Sequence, residues 1–300
     1  MKLERTLIAI ALTICVITSN SCGDDSSDNT TAIAALALVA SCTSSAVSNS
    51  QYSTCSSAAV TEASYTPASD ATGRPCSTSI SADAPCWIKE NFHCVTVTMD
   101  GDTIVMTTNN LPPYKSPYYK SPGTYAAYNE ATFPSGHSAN PNFIASQSIT
   151  MRIPASPTKA NCSYDSTFGS GIDALGIDVH GVVMFNNQAA PGDSLATEYS
   201  TFDDSYAHPE STGKYHQHTE PTKITNDDNV LVGIMLDGYP IYGRKSQDGS
   251  YPTLDTDTHS VACTTTHFPN GTQCYHVGNG SGVDAYLIGS YFAGRRGTVD

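Results

Sequence analysis

Two histidines one residue apart, His216 and His218, lie in the stretch Lys214-Tyr215-His216-Gln217-His218. In an extended chain, period-2 alternation puts both imidazoles on one face and Tyr215 with Gln217 on the other. Neutral imidazole is the commonest side-chain ligand for transition metals, and an H-x-H pair supplies two nitrogens from one rigid segment. Seven of the nine histidines fall in the second half of the chain beyond His137, and His208, His267 and His276 recur in two similar stretches, each leading to a Tyr-His pair. The expected metal site is therefore His216 and His218 completed by one or two of His180, His208, His267 and His276. No C-x-x-C or C-x-x-H spacing is present. A nitrogen-rich set without thiolates suits copper or zinc, whereas calcium would call for clustered carboxylates and carbonyls. Tyr215 or Tyr275 would serve as a further ligand or redox-active neighbour if the ion is copper. Asp237 is a candidate to orient a ligand imidazole, its plainer role being a turn residue before Gly238. The structural alternative is that each imidazole bridges backbone groups at strand ends while the tyrosines pack in the core.

The elements that must position these residues read as strands. Cys94 to Met99 alternates, Asp100-Gly101-Asp102 is a turn signal, and Thr103 to Thr108 follows as the hairpin partner. Ser146 to Pro154 reads as another strand, ended by its proline. Gly176 to Asn186 aligns without gaps on Gly233 to Gly243, and each copy is followed by a loop and a Tyr-His pair, Tyr215-His216 or Tyr275-His276. Two copies of one supersecondary unit predict an internally duplicated, mainly β domain with a pseudo-twofold repeat over residues 176–218 and 233–276.

The N-terminal residues predict export. Met1-Lys2-Leu3-Glu4-Arg5 followed by an apolar run from Leu7 to Thr18 reads as a secretory signal, too short to span a bilayer. Ser19-Asn20-Ser21-Cys22 with the acidic, Ser-rich residues behind it resembles the end of a Bacteroidota surface lipoprotein signal, with Cys22 as the lipidated residue; Ser19 stands where that signal usually carries Leu, Val or Ile. Ordinary cleavage, or lipidation at Cys42, are the alternatives. Setting aside Cys15 and Cys22 leaves eight of the ten cysteines, enough for four disulfides in an oxidising compartment, with Cys263 and Cys274 a reasonable local pair. The expected division is a signal over 1–22, a Ser/Thr/Ala/Cys-rich tether or small disulfide-pinned subdomain over 23–90, and the main domain over 91–300. The formal net charge of −14, with 14 basic residues scattered along the chain, argues against nucleic acid as a partner. A membrane would be met only through a lipid anchor.

No G-x-S-x-G, H-E-x-x-H, P-loop or dinucleotide fingerprint is present. The blocks Phe133-Pro134 with Asn140-Pro141-Asn142, Gly181 to Asn186, His208-Pro209 with Gly213 to His218, Leu236 to Gly243, and Tyr275-His276 resemble the YHYH family, exported proteins named for a Tyr-His-Tyr-His motif. The resemblance covers residues 100 to 295. This chain departs from it at Gln217, where the family has a second tyrosine, and at Val277-Gly278 after the second Tyr-His pair. The resemblance implies no particular activity. Two function classes follow from the residues: an exported, metal-dependent protein, either a metalloenzyme acting on an extracellular substrate or a simple metal-binding module, and a non-enzymatic adhesion or carbohydrate-binding module. In the second, a surface glycan would meet the tyrosine-rich loop from Leu111 to Tyr128 and the histidines would be structural.

Overall fold

Alternation of apolar and polar residues builds the first of two sheets. The computed structural model describes residues 55–160, 165–167, 174–189 and 194–300; the expected signal, Cys22, Cys42 and Cys162 lie outside them. Five strands open the described chain: β1 (Val60–Tyr65), β2 (Cys76–Ile80), β3 (Thr96–Asp100), β4 (Thr103–Thr108) and β5 (Ile149–Pro154). Between β3 and β4 the two-residue link uses Gly101 at φ 58°, where a side chain would be strained. Ile104 and Met106 of β4, and Ile149, Met151 and Ile153 of β5, point inward while Thr150 and Arg152 point away. The expected hairpin and the strand ending at Pro154 are therefore present, each starting two or three residues later than the pattern alone places it.

The second sheet is built from shorter strands: β6 (Gly176–Asp178), β7 (Val183–Met184), β8 (Ala207–Pro209), β9 (Tyr215–Gln217), β10 (Leu231–Met235), β11 (Pro240–Tyr242), β12 (Ser260–Cys263) and β13 (Thr272–His276). Its order is β12-β13-β11-β10-β6-β7-β9-β8, and a final strand, β14 (Thr298–Val299), returns to the first sheet beside β5. Two short helices, α1 (Cys86–Asn91) and α2 (Leu195–Tyr199), complete a mainly β fold. Strands β6 to β11 are buried at every described position; β7, β10 and β11 therefore read as apolar runs, whereas β6, β8 and β9 bury Asp178, His208, His216 and Gln217 among them. Val97, Ile104, Met106, Met151 and Ile153 of the first sheet share one core with Ile177, Val183, Ile234 and Ile241 of the second.

Cys55–Cys86 and Cys76–Cys94 pin the N-terminal part, and Cys263–Cys274 joins β12 to β13 diagonally, Cys263 opposing Thr272 and Cys274 opposing Val261. The segment assigned to a tether or small subdomain contributes β1 and β2, and β2 pairs in parallel with β3, so residues on both sides of position 90 share one sheet. No described helix is long and apolar enough to cross a membrane.

At the centre of the second sheet Gly233 faces Asp178 across the β6–β10 ladder, and a Cβ there would stand 2.2 Å from the carbonyl oxygen of Ile177. Backbone on a central ladder has no room to yield. Gly233→Ala is expected to destabilise the fold by about 2 kcal/mol or more, read as a fall in Tm, whereas alanine at Gly249, which has open space around it, costs only its positive-φ strain.

Candidate metal centre

The H-x-H pair works because its strand is short and locked on both sides. β9 runs parallel to β7 and antiparallel to β8. Asn110 fastens the β7 edge: its side-chain amide donates to the Tyr215 carbonyl at 2.8 Å, and its oxygen accepts the Val183 N–H at 3.0 Å. On the β8 side His208 stands directly opposite His216. Directly opposed residues on an antiparallel ladder carry their side chains on the same face, so the third imidazole comes from the neighbouring strand. His208, His216 and His218 are all buried, and one ligand nitrogen from each lies within 4.8 Å of the others.

Hydrogen bonds set the direction of each ring. His216 Nδ1 donates to the Lys214 carbonyl at 3.0 Å and His218 Nδ1 to the Asn186 carbonyl at 2.6 Å. The Thr201 hydroxyl spends its proton on the Glu198 carbonyl at 2.6 Å, so it can only accept from His208 Nδ1, 2.7 Å away. A carbonyl or an already donating hydroxyl accepts only a protonated nitrogen, and in a neutral imidazole the proton on Nδ1 leaves Nε2 as a lone pair. The two Nε2 atoms of His216 and His218 then face each other at 3.0 Å. Burial works against a proton as the bridge: it pushes the His208 imidazolium down to about 3 and His218 to about 4, and carries His216 well below the usual imidazole range. Phe185 stacks on His216 with centroids 3.8 Å apart, and Phe202 lies parallel to His218 at 5.7 Å and edge-on to His208 at 4.7 Å.

Sequence reasoning missed one member of the site. Glu198 of α2 places Oε2 3.8 Å from His208 Nε2 and 3.7 Å from His218 Nε2. Its helix is started by Ser194, whose hydroxyl accepts the Thr197 N–H. A capping serine before Leu-Ala-Thr-Glu was a legible helix signal, but nothing in the sequence aims that helix at β9.

The other expected ligands sit elsewhere. His180 meets the Tyr65 hydroxyl at 3.2 Å and, with His93 and His267, lines a separate cavity of about 540 Å³. His267 Nδ1 pairs with the Tyr242 hydroxyl at 2.8 Å, and His276 Nδ1 donates to the Gly243 carbonyl at 2.8 Å. Tyr215 and Tyr275 point away from the His208–His216–His218 cluster. The Tyr215 hydroxyl donates to buried Asp203 at 2.6 Å, and the Tyr275 hydroxyl donates to buried Asp237 at 2.6 Å, because alternation along their strands turns both rings away from the adjacent histidines. Asp237 accordingly orients a tyrosine and accepts the Gly294 N–H at 2.9 Å, rather than orienting an imidazole. In the tyrosine-rich loop, Tyr114, Tyr118 and Tyr119 are fully buried, so those rings present no wall to a glycan.

Three buried histidines and a carboxylate are thus gathered at the β8–β9 edge of the second sheet, a set of donors that could hold a metal ion. The family model described as YHYH protein matches residues 150–255, a span that holds His208, His216, His218 and Glu198 and stops short of His267 and His276. The match is narrower than the 100–295 that motif resemblance suggests. No curated protein and no solved structure matches the chain.

Burial raises the Asp237 carboxyl to about 6. A carboxyl whose pKa is higher in the folded chain than in the unfolded one costs stability as pH rises from about 4 through 6, to a limit of about 3 kcal/mol. Asp237→Asn is therefore expected to flatten the Tm profile over that window, gaining on the wild type at pH 7 and losing the advantage at pH 4.

Proposed function

We propose that this chain is an exported protein whose YHYH domain binds one first-row transition-metal ion, copper or zinc, through His208, His216 and His218, with Glu198 as the fourth donor. The observation that carries the reading is the pair of unprotonated Nε2 atoms 3.0 Å apart in a buried site: two lone pairs at that distance call for a cation between them, and burial disfavours the proton. Metal–nitrogen bonds of about 2.0–2.1 Å put tetrahedral donors about 3.3 Å apart. The His216–His218 approach of 3.0 Å and the Glu198 approaches of 3.7 and 3.8 Å lie near that spacing, and the three ligand nitrogens all lie within 4.8 Å of one another, so closing on an ion would draw the wider pairs inward. All three Nδ1 positions are held by the partners that tune and orient ligand imidazoles in metal sites. The Glu198 side chain, 18 % exposed against 3 % for His218, is the side from which an extracellular substrate or an exchanging ligand would approach.

Duplication is part of the same proposal. Its support is the symmetric strand order, the facing of Ile177 by Ile234 at the centre of the sheet, and parallel pairing of β11 with β13 as of β7 with β9. Under that pairing His276 corresponds to His218, since each donates Nδ1 to the carbonyl of Gly243 or Asn186, residues 57 apart. The second copy then carries Cys274 and Val261 at the places of His216 and His208, which leaves it without a metal site.

Metal analysis of the purified, untagged chain is expected to give about one equivalent of copper or zinc. His216→Ala/His218→Ala should abolish it, together with the rise in Tm on adding the ion, and Glu198→Gln should weaken binding at least tenfold. Absence of metal from the wild type, with no change in Tm on titrating either ion, would sink the reading.

Export with a lipid on Cys22 completes the proposal; the three described disulfides support an oxidising destination. In a bacterial host, Cys22→Ser is expected to lose incorporation of labelled fatty acid and to move the protein from the membrane to the soluble fraction, while Cys42→Ser keeps both.

A further inference from the structure

Basic residues are scarce in this chain, 14 against 28 acidic ones, and they are spread widely along the sequence. The fold nevertheless gathers four of them, Arg152, Lys159, Arg295 and Arg296, around one cavity of about 910 Å³ where the ends of β4, β5 and β14 meet. Only Arg152 has an acidic partner within 4.0 Å, Asp100 at 3.4 Å, and that pair is exposed. Among the described residues Lys159, Arg295 and Arg296 take part in no ion pair. The wall also holds two carboxylates, each bringing its negative charge: Asp102 Oδ1 accepts the Ser156 hydroxyl at 2.9 Å, and Asp165 Oδ2 accepts the backbone N–H of Arg296 at 3.0 Å, while Asp255 acts on Lys159 from outside the lining.

Four cations against two carboxylates leave the lining net positive, and an anion seated there relieves the excess. Guanidinium forks match carboxylate and sulfate geometry with two parallel hydrogen bonds, and lysine adds a mobile point charge. The cavity lies within the size range of small-molecule sites, about 300–1,000 Å³, so it takes a few sugar rings rather than a long polymer face. Hydroxyls of Thr103, Thr158 and Thr298 line the same wall and suit a polyhydroxylated ligand. A duplex or an anionic bilayer presents an extended field of negative charge, which the net −14 of the whole chain repels; a narrow ligand entering one recess meets the local cations instead.

We propose that this cavity is a binding site for an acidic oligosaccharide, its carboxylate or sulfate groups seated on Arg295, Arg296 and Lys159. The site is independent of the histidine centre and stands whether or not an ion binds there.

Calorimetry on the full folded chain with four probes tests it: tetragalacturonate, a sulfated carrageenan tetrasaccharide, neutral maltotetraose and sodium sulfate. Binding of either acidic tetrasaccharide, weakening as salt rises and at least tenfold weaker in Arg295→Ala/Arg296→Ala, supports the site, and which of the two binds tells carboxylate from sulfate recognition. Lys159→Ala, at an exposed position, should weaken the same ligand if the double variant fails to fold, and Lys120→Ala should not. Equal binding of maltotetraose, binding of sodium sulfate with neither tetrasaccharide, or acidic binding unchanged by the cavity variants would each overturn the proposal.

Discussion

Every feature of the histidine centre depends on where three protons sit. Two backbone carbonyls and one hydroxyl already committed as a donor hold the Nδ1–H of His216, His218 and His208. That leaves each Nε2 as a lone pair. Placed on a surface, such rings would turn to water or take up protons. Here they are buried, clamped by Phe185 and Phe202, and aimed at one another, so the cost of desolvating lone pairs without a partner is met by the packing of the surrounding sheet unless a cation occupies the gap.

The anchoring side chains on the opposite face of the sheet are held by specific partners, although Gln217 Oε1 and His276 Nε2 are buried without one among the described residues. Tyr215 is tied to Asp203 and Ser205, Tyr275 to Asp237, and Gln217 to Asp178 at 2.9 Å. Burial raises the carboxyls of Asp178 to about 7 and Asp237 to about 6, with Asp203 raised as well, while the hydrogen bonds each accepts oppose that shift. They hold β9 and β13 from the face opposite their histidines. The Tyr-His dipeptide thus divides its work: the tyrosine anchors the strand in the core, and alternation frees the histidine to face the other way. Gln217, two residues after Tyr215 and on the same face, anchors β9 through its side-chain amide on Asp178.

Parts of this arrangement were legible and parts were not. The β3–β4 hairpin, the strand ending at Pro154 and the Cys263–Cys274 pairing followed from local alternation, turn chemistry and short spacing. His216 and His218 sharing a face followed from strand period alone. His208 was recognised as a candidate but not singled out, although the cross-strand position opposite His216 could have been read from a hairpin closed around Gly213. Glu198 was missed because its helix comes after a loop whose path no sequence signal describes. Arg295, Arg296, Lys159 and Arg152 looked scattered because charge spacing along a chain says nothing of which strand ends the sheet order brings together.

The amino-acid sequence by itself determined the β character, the export-like start, the supply of imidazoles and the pairing of tyrosine with histidine, because each of these is local: a period, a run or a dipeptide. Which histidines meet was decided only in the tertiary structure. Strand order sets β8 beside β9 and sends β13 to the far half of the sheet, so His208 joins His216 and His218 while His180, His267 and His276 take hydrogen bonds elsewhere. Convergence depends on register between segments far apart in the chain, and register is settled by the packing of a whole sheet at once.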